Sequence, residues 1–95
     1  MDPGDFAAIV SVSMIQELHH IGIAVGSIEE ALPRYVDGLG MQLLGIEEVE
    51  TEKVRVAILL VGATRIELLE PTDPASPIAK FLDKRGPGVH HLAFE

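Results

Sequence analysis

The chain writes one strand-like phrase twice, as Leu18-His19-His20-Ile21-Gly22-Ile23-Ala24 and as Val89-His90-His91-Leu92-Ala93-Phe94-Glu95. Each copy sets two histidines ahead of an alternation of large apolar and small residues. The second begins at Val89, 71 positions after Leu18, and the sequence ends inside it. An internal repeat points to a repeated structural unit and constrains the fold before any single motif does. Two sister strands, one opening each unit, can bring equivalent histidines face to face. The repeat therefore predicts a metal site between units, and a sequence that holds one unit plus the opening strand of the next.

Between the copies the hydrophobic period changes repeatedly. Residues 16–25 alternate and are rich in Ile and Val, which predicts a strand. Ser27 followed by Glu30 is a capping box, and Ile28, Ala31, Leu32, Tyr35, Val36 and Leu39 then fall on one helical face. Gly38 and Gly40 supply the stop. Pro33 interrupts this helix from its outer face. It removes the bond to the Glu29 carbonyl, at ~3 kcal/mol, and predicts a kink.

Residues 41–50 and 53–61 read as two strands, with Glu47, Glu48, Glu50 and Glu52 at a solvated hairpin end. Gly62-Ala63 turns the chain into a strand over 64–70 that Pro71 ends, with Glu70 expected in solvent. Ser76 caps a short helix that has Pro77 at its first position and turns Ile78, Phe81 and Leu82 inward. Gly86-Pro87-Gly88 closes it. The class is α+β: a βαβββ module, with the second module cut off after its first strand. Residues 1–13 read as a disordered extension, Met14 as a candidate start, and residues 14–95 as the domain.

Composition excludes several functions. With 47% apolar and 23% charged residues, the 95-residue chain can bury the core of one domain. Acidic residues outnumber basic ones 15 to 7, and a net charge of −8 opposes nucleic-acid binding. Without cysteine there is no disulfide, thiolate metal site or thiol catalysis, and a cytoplasmic location is expected. Phe6 to Ile15 is mildly apolar, but Asp2 and Asp5 precede it and no basic flank does. It is too short to span a bilayer and wrong for a secretion signal, so no membrane partner is expected.

Side chains of a regular strand alternate between its faces. His20 then shares a face with Gly22 and Ala24, and His19 with Ile21, Ile23 and Val25; His91 falls with Ala93 and Glu95, and His90 with Leu92 and Phe94. The bulky face must pack under the helices. The face of small residues leaves room in front of the second histidine of each pair, so His20 and His91 are the candidate ligands and His19 and His90 rim residues. A strand histidine is otherwise an ordinary structural residue; matched positions in a repeat hold the ligand reading level with that one. Glu67, between Ile66 and Leu68, is costly to bury without a partner, and either a metal cation or a buried arginine would serve. Two imidazoles with carboxylate oxygen suit a six-coordinate divalent ion with open positions better than a closed structural zinc.

The phrases His19-His20-Ile21-Gly22-Ile23-Ala24-Val25, Val54-Arg55-Val56-Ala57, Arg65-Ile66-Glu67-Leu68-Leu69-Glu70-Pro71, Ser76-Pro77-Ile78-Ala79-Lys80-Phe81-Leu82 and His90-His91-Leu92-Ala93-Phe94-Glu95 resemble the methylmalonyl-CoA epimerases. That family is a branch of the vicinal oxygen chelate (glyoxalase-like) superfamily. The resemblance runs over residues 15–95; in this order the phrases are specific to the epimerase branch, whereas the histidine strand alone fits many members. It implies a glyoxalase-like module with His20, Glu67 and His91 as metal ligands, the position of Glu67 holding Glu or Gln in the family. It implies a divalent metal, Co2+ or Mn2+, a CoA thioester substrate and a homodimer.

The implied reaction interconverts the 2R and 2S epimers of methylmalonyl-CoA by α-proton exchange through an enediolate whose charge the metal offsets. The family's fourth ligand, a glutamate and candidate base, belongs beyond residue 95, so no catalytic residue is assigned in this chain. A second base that some members carry falls at Val56, which cannot titrate. Pro33 also departs from the family's helix. The alternatives are glyoxalase I or a dioxygenase on the same metal seat, or an inactive metal- or ligand-binding fragment.

Overall fold

The computed structural model describes residues 17–95; the proposed extension and Met14 lie outside the described residues. Strand β1 (Leu18–Ala24) runs inside a five-stranded sheet, parallel to β4 (Thr64–Pro71) and antiparallel to β5 (Gly88–Phe94). Beyond β4 lie β3 (Val54–Val61) and β2 (Gln42–Val49), giving the order β2-β3-β4-β1-β5. A parallel β1–β4 pair needs a long crossover, and the helix and hairpin between them supply it. Glu17 and Glu95 exchange backbone hydrogen bonds of 3.1 and 2.9 Å, which extends the β1–β5 ladder to the last residue.

Helix α1 (Ile28–Pro33) starts as the capping box predicts: Ser27 Oγ accepts the Glu30 N–H at 3.2 Å. Its end differs from the expected kink. Pro33 lacks the N–H that would reach the Glu29 carbonyl, and the chain continues as a π-helical turn over Arg34–Gly38. The wider turn changes the angular step. Ala31, Leu32, Tyr35 and Val36 stay against the core, while Leu39, predicted on the same face, is 68% exposed. Gly40, at φ 72°, ends the turn; its N–H reaches the Val36 carbonyl at 3.1 Å, and the Met41 N–H reaches that of Tyr35 at 3.0 Å.

Each face of the sheet carries its own core cluster. Under α1, Ile28 packs with Val25, Ala57, Leu59 and Leu68. On the other face, helix α2 (Pro77–Arg85) packs Ile78, Phe81 and Leu82 against Ala24, Val54, Val56 and Leu69. The expectation that helices cover only the bulky face of β1 is therefore corrected. Ser76, fully buried, accepts the Ile78 N–H at 3.2 Å and turns the chain straight back over the sheet, where the small Ala24 side chain admits Ile78. On β5 the bulky face lies open, with Leu92 at 53% and Phe94 at 59% exposure. Among the described residues no helix is long and apolar enough to cross a membrane.

Glu70, expected in solvent, is instead a structural carboxylate with its side chain 14% exposed. Its Oε1 accepts the Ile28 N–H at 2.7 Å, capping α1, and its Oε2 accepts from Arg55 Nη1 at 3.1 Å. The same Arg55 nitrogen reaches exposed Glu29 at 3.1 Å. Replacing Glu70 by Ala is expected to cost about 2 kcal/mol in a urea titration, because it removes a charged cap from a buried N–H.

The Glu29 carboxyl is held below the ordinary carboxylate range by a backbone hydrogen bond and then by Arg55. A depressed folded value means that Glu29 contributes fully above that range, and that the contribution is lost as pH falls through the folded value. The Glu29→Gln variant is accordingly expected to lose less stability on acidification than the parent, read as the urea midpoint followed downward from neutral pH.

Candidate metal centre

Two β-bulges build the site. In the β1–β5 ladder Leu18 pairs with Phe94 and His20 with Ala93, which leaves His19 as the extra residue on β1. Gly22 pairs with His91 and Ile23 with Val89, which leaves His90 as the extra residue on β5. Strict alternation would put adjacent histidines on opposite faces; a bulge re-aims the side chain and breaks that rule. The Nδ1 atoms of His19 and His20 consequently lie 2.8 Å apart, and those of His90 and His91 2.9 Å apart. Placing His19 and His90 strictly on the opposite face is corrected by these two slips.

The two candidate ligands meet across the ladder. His20 Nε2 and His91 Nε2 are 3.1 Å apart, with the rings at 88° to each other. Four imidazoles thus form one row, His19–His20–His91–His90, joined alternately through Nδ1 and Nε2. Neutral rings can satisfy all three contacts at once, each donating in the same direction along the row. Phe81 of α2 sets its ring against His90 at 5.1 Å, edge to face, and steadies the far end.

Glu67 lies beside Gly22 in the β1–β4 register, so Glu67, Gly22 and His91 form one line across the sheet. Its Oε2 is 3.7 Å from His20 Nδ1, and both side chains are partly buried at 18% and 19% exposure. Among the described residues no arginine pairs with Glu67; Arg55 pairs with Glu70 and Glu29. All three predicted site residues are brought together. They do not yet converge, because Glu67 faces the nitrogen of His20 that points away from His91. Among the described residues no three His, Cys, Asp or Glu donors share one metal position.

The donor chemistry nonetheless fits a divalent ion. Adjacent ligands of an octahedral ion with metal–nitrogen bonds of about 2.1 Å stand about 3.0 Å apart, and the two Nε2 atoms are at 3.1 Å. The opposite nitrogens of both rings are held by neighbouring histidines, as the outer ring nitrogen of a metal-binding histidine usually is.

Beside His91 opens a cavity of about 280 Å³ with apolar walls from Val54, Val56, Leu69, Pro77 and Ile78. Val56, where the resemblance put an absent second base, is one of those walls. Glu52 reaches the rim of the same cavity, although its sequence context placed it only with the exposed acids of the hairpin end. No spacing in the sequence links Glu52 to His91; folding of the β2–β3 hairpin does.

The family is decided by comparison with known proteins. Residues 19–95 match the Glyoxalase/Bleomycin resistance protein/Dioxygenase superfamily, nearly the whole described chain. The chain belongs to this superfamily. An uncharacterized Bacillus subtilis protein is 46% identical over 80 residues, covering 84% of this chain and 57% of its own length. The crystal structure of methylmalonyl-CoA epimerase from Mycobacterium tuberculosis superposes with a TM-score of 0.83 at 45% identity, covering 87% of this chain and 57% of that one. A methylmalonyl-CoA epimerase in complex with methylmalonyl-CoA and NH4+ superposes with a TM-score of 0.80 at 36% identity, covering 84% and 60%. The chain therefore spans about three-fifths of the length of these relatives, and the predicted glyoxalase-like α+β module is the observed fold.

A superfamily member that half-buries a carboxylate beside a histidine row carries a group unfavourable to stability unless it serves the site. Replacing Glu67 by Met is expected to raise the unfolding midpoint of the metal-free protein, by roughly 1 kcal/mol or more in chemical denaturation.

Proposed function

We propose that this protein is a metal-dependent epimerase of methylmalonyl-CoA, with residues 14–95 forming the first module, the connecting helix and the opening strand of the second. The observation that carries this reading is the meeting of His20 Nε2 and His91 Nε2 at 3.1 Å, on sister strands and beside an apolar cavity. The names of its relatives support the substrate, and one related structure contains methylmalonyl-CoA.

In this reading His20 and His91 hold the ion directly and Glu67 completes the set from the neighbouring strand. The bound ion, Co2+ or Mn2+, supplies positive charge that lowers the barrier to removing a proton α to a thioester carbonyl. The residues of this chain supply the positioning. His19 and His90 orient the two ligand rings, and the cavity walls exclude water and receive the apolar part of the acyl group. By resemblance, the carboxylate that moves the proton belongs to the second module. We place the protein in the cytoplasm as a homodimer; the outer edges of β2 and β5, both ends of the sheet order, support association.

The test is deuterium incorporation at the α-carbon of methylmalonyl-CoA in heavy water, catalysed by the full-length protein. Exchange is expected to stop with EDTA, to return with Co2+, and to fall about a hundredfold or more in His20→Ala and in His91→Ala. Exchange untouched by EDTA would sink the metal reading, and turnover of a methylglyoxal hemithioacetal in its place would move the protein to the glyoxalases.

A further inference from the structure

The ring of His91 fills the space that a side chain on Gly22 would need. The two residues are cross-strand partners in the β1–β5 ladder. A Cβ placed on Gly22 would stand 2.6 Å from His91 Nδ1 and 2.7 Å from its Nε2, with Cε1 closer still. Non-bonded carbon contacts are most favourable near about 3.5–4.0 Å, so an alanine at this position forces something to move. The atoms in the way are the far end of a side chain, not backbone. The ring gives, and the sheet does not.

Nothing else in the structure accounts for a glycine here. Its backbone is not left-handed; Gly40, Gly62 and Gly86 are the described glycines with positive φ. A glycine inside a strand costs roughly 0.5–1 kcal/mol relative to alanine, so the position carries a penalty that a packing reason must offset. At Gly26, Gly45 and Gly88 the same Cβ would meet nothing within 4 Å. The other diagonal of the ladder is built alike, with His20 opposite the small Ala93. Each histidine of the pair is thus set opposite a small residue of the sister strand.

We infer that Gly22 is a positioning residue: its missing side chain is the seat that holds the His91 ring with Nε2 turned toward His20. The seating is a property of the folded chain alone; its consequence for a bound ion rests on the metal reading above.

The test compares Gly22→Ala with the parent in the full-length protein. In the metal-free state, Gly22→Ala is expected to keep its fold, shift the His91 ring resonances and lose the nuclear Overhauser contact between the His20 and His91 rings. Its Co2+ dissociation constant is expected to rise about 10- to 100-fold, while Gly45→Ala changes neither readout. In a His91→Ala background, Gly22→Ala should raise stability, as alanine does over glycine inside a strand, and leave residual Co2+ affinity unchanged, because the ring it displaces is gone. Should Gly22→Ala alone fail to fold, the double variant should fold.

Unmoved His91 resonances in Gly22→Ala, or an equal loss of stability with and without the His91 ring, would overturn the inference. A parent that binds no Co2+ but whose His91 ring still moves in Gly22→Ala would uphold the seat and overturn the metal reading. The two failures are thereby distinguishable.

Discussion

Everything distinctive about this molecule depends on the ladder between β1 and β5. It joins two strands of the same design, and it slips once at each histidine pair, at His19 on β1 and at His90 on β5. A regular antiparallel ladder would show one histidine of each pair to each face and leave the four rings unable to form a row. The two bulges gather all four while leaving Gly22 opposite His91 and His20 opposite Ala93. Large and small residues therefore interlock across the strands, which is the physical meaning of the repeated phrase.

The same sheet divides its carboxylates by the partner each one finds. Glu67 and Glu70 sit three residues apart on β4, and both are mostly withdrawn from water. Glu70 has two charge-matched partners, the first N–H of α1 and the Arg55 guanidinium, so its burial is compensated by the fold itself. Glu67 has an imidazole nitrogen at 3.7 Å. That asymmetry separates an acid partnered by the fold from one whose described partner is an imidazole. A strand position alone does not reveal it, because the deciding arginine lies on β3, reached only through the β3–β4 register that pairs Arg55 with Glu70.

What the sequence made legible was whatever depends on local pattern. The element order, the Ser27 and Ser76 caps, the inward face of α2 and the approach of His20 to His91 follow from period, cap chemistry and the repeat. Features set by a competing local constraint were harder to read. Pro33 was legible as a disturbance, but whether the helix answers by kinking or by widening into a π-helical turn depends on packing of Tyr35 and Val36, which remain in the core while Leu39 leaves it. Bulges are illegible for the same reason: a slip of one residue leaves the composition unchanged and appears only when both strands are paired.

The attachment of β5 gives the site a particular vulnerability. Among the described residues its one sheet partner is β1, and its bulky face is open there, as Leu92 and Phe94 show. His91 is thus held by a single ladder, by the Gly22 seat and by the Phe81 contact to its neighbour His90. His20, by contrast, sits on a strand paired on both sides. Among the described residues the two halves of the centre consequently differ in how many strands hold them, although their local designs match. Disturbance of the ladder reaches His91 before it reaches the core, since the core clusters under α1 and α2 draw no buried residue from β5. Geometry at the candidate centre can be lost while the rest of the module stays folded, and this separation lets a single methyl group at Gly22 act on the site without acting on the fold.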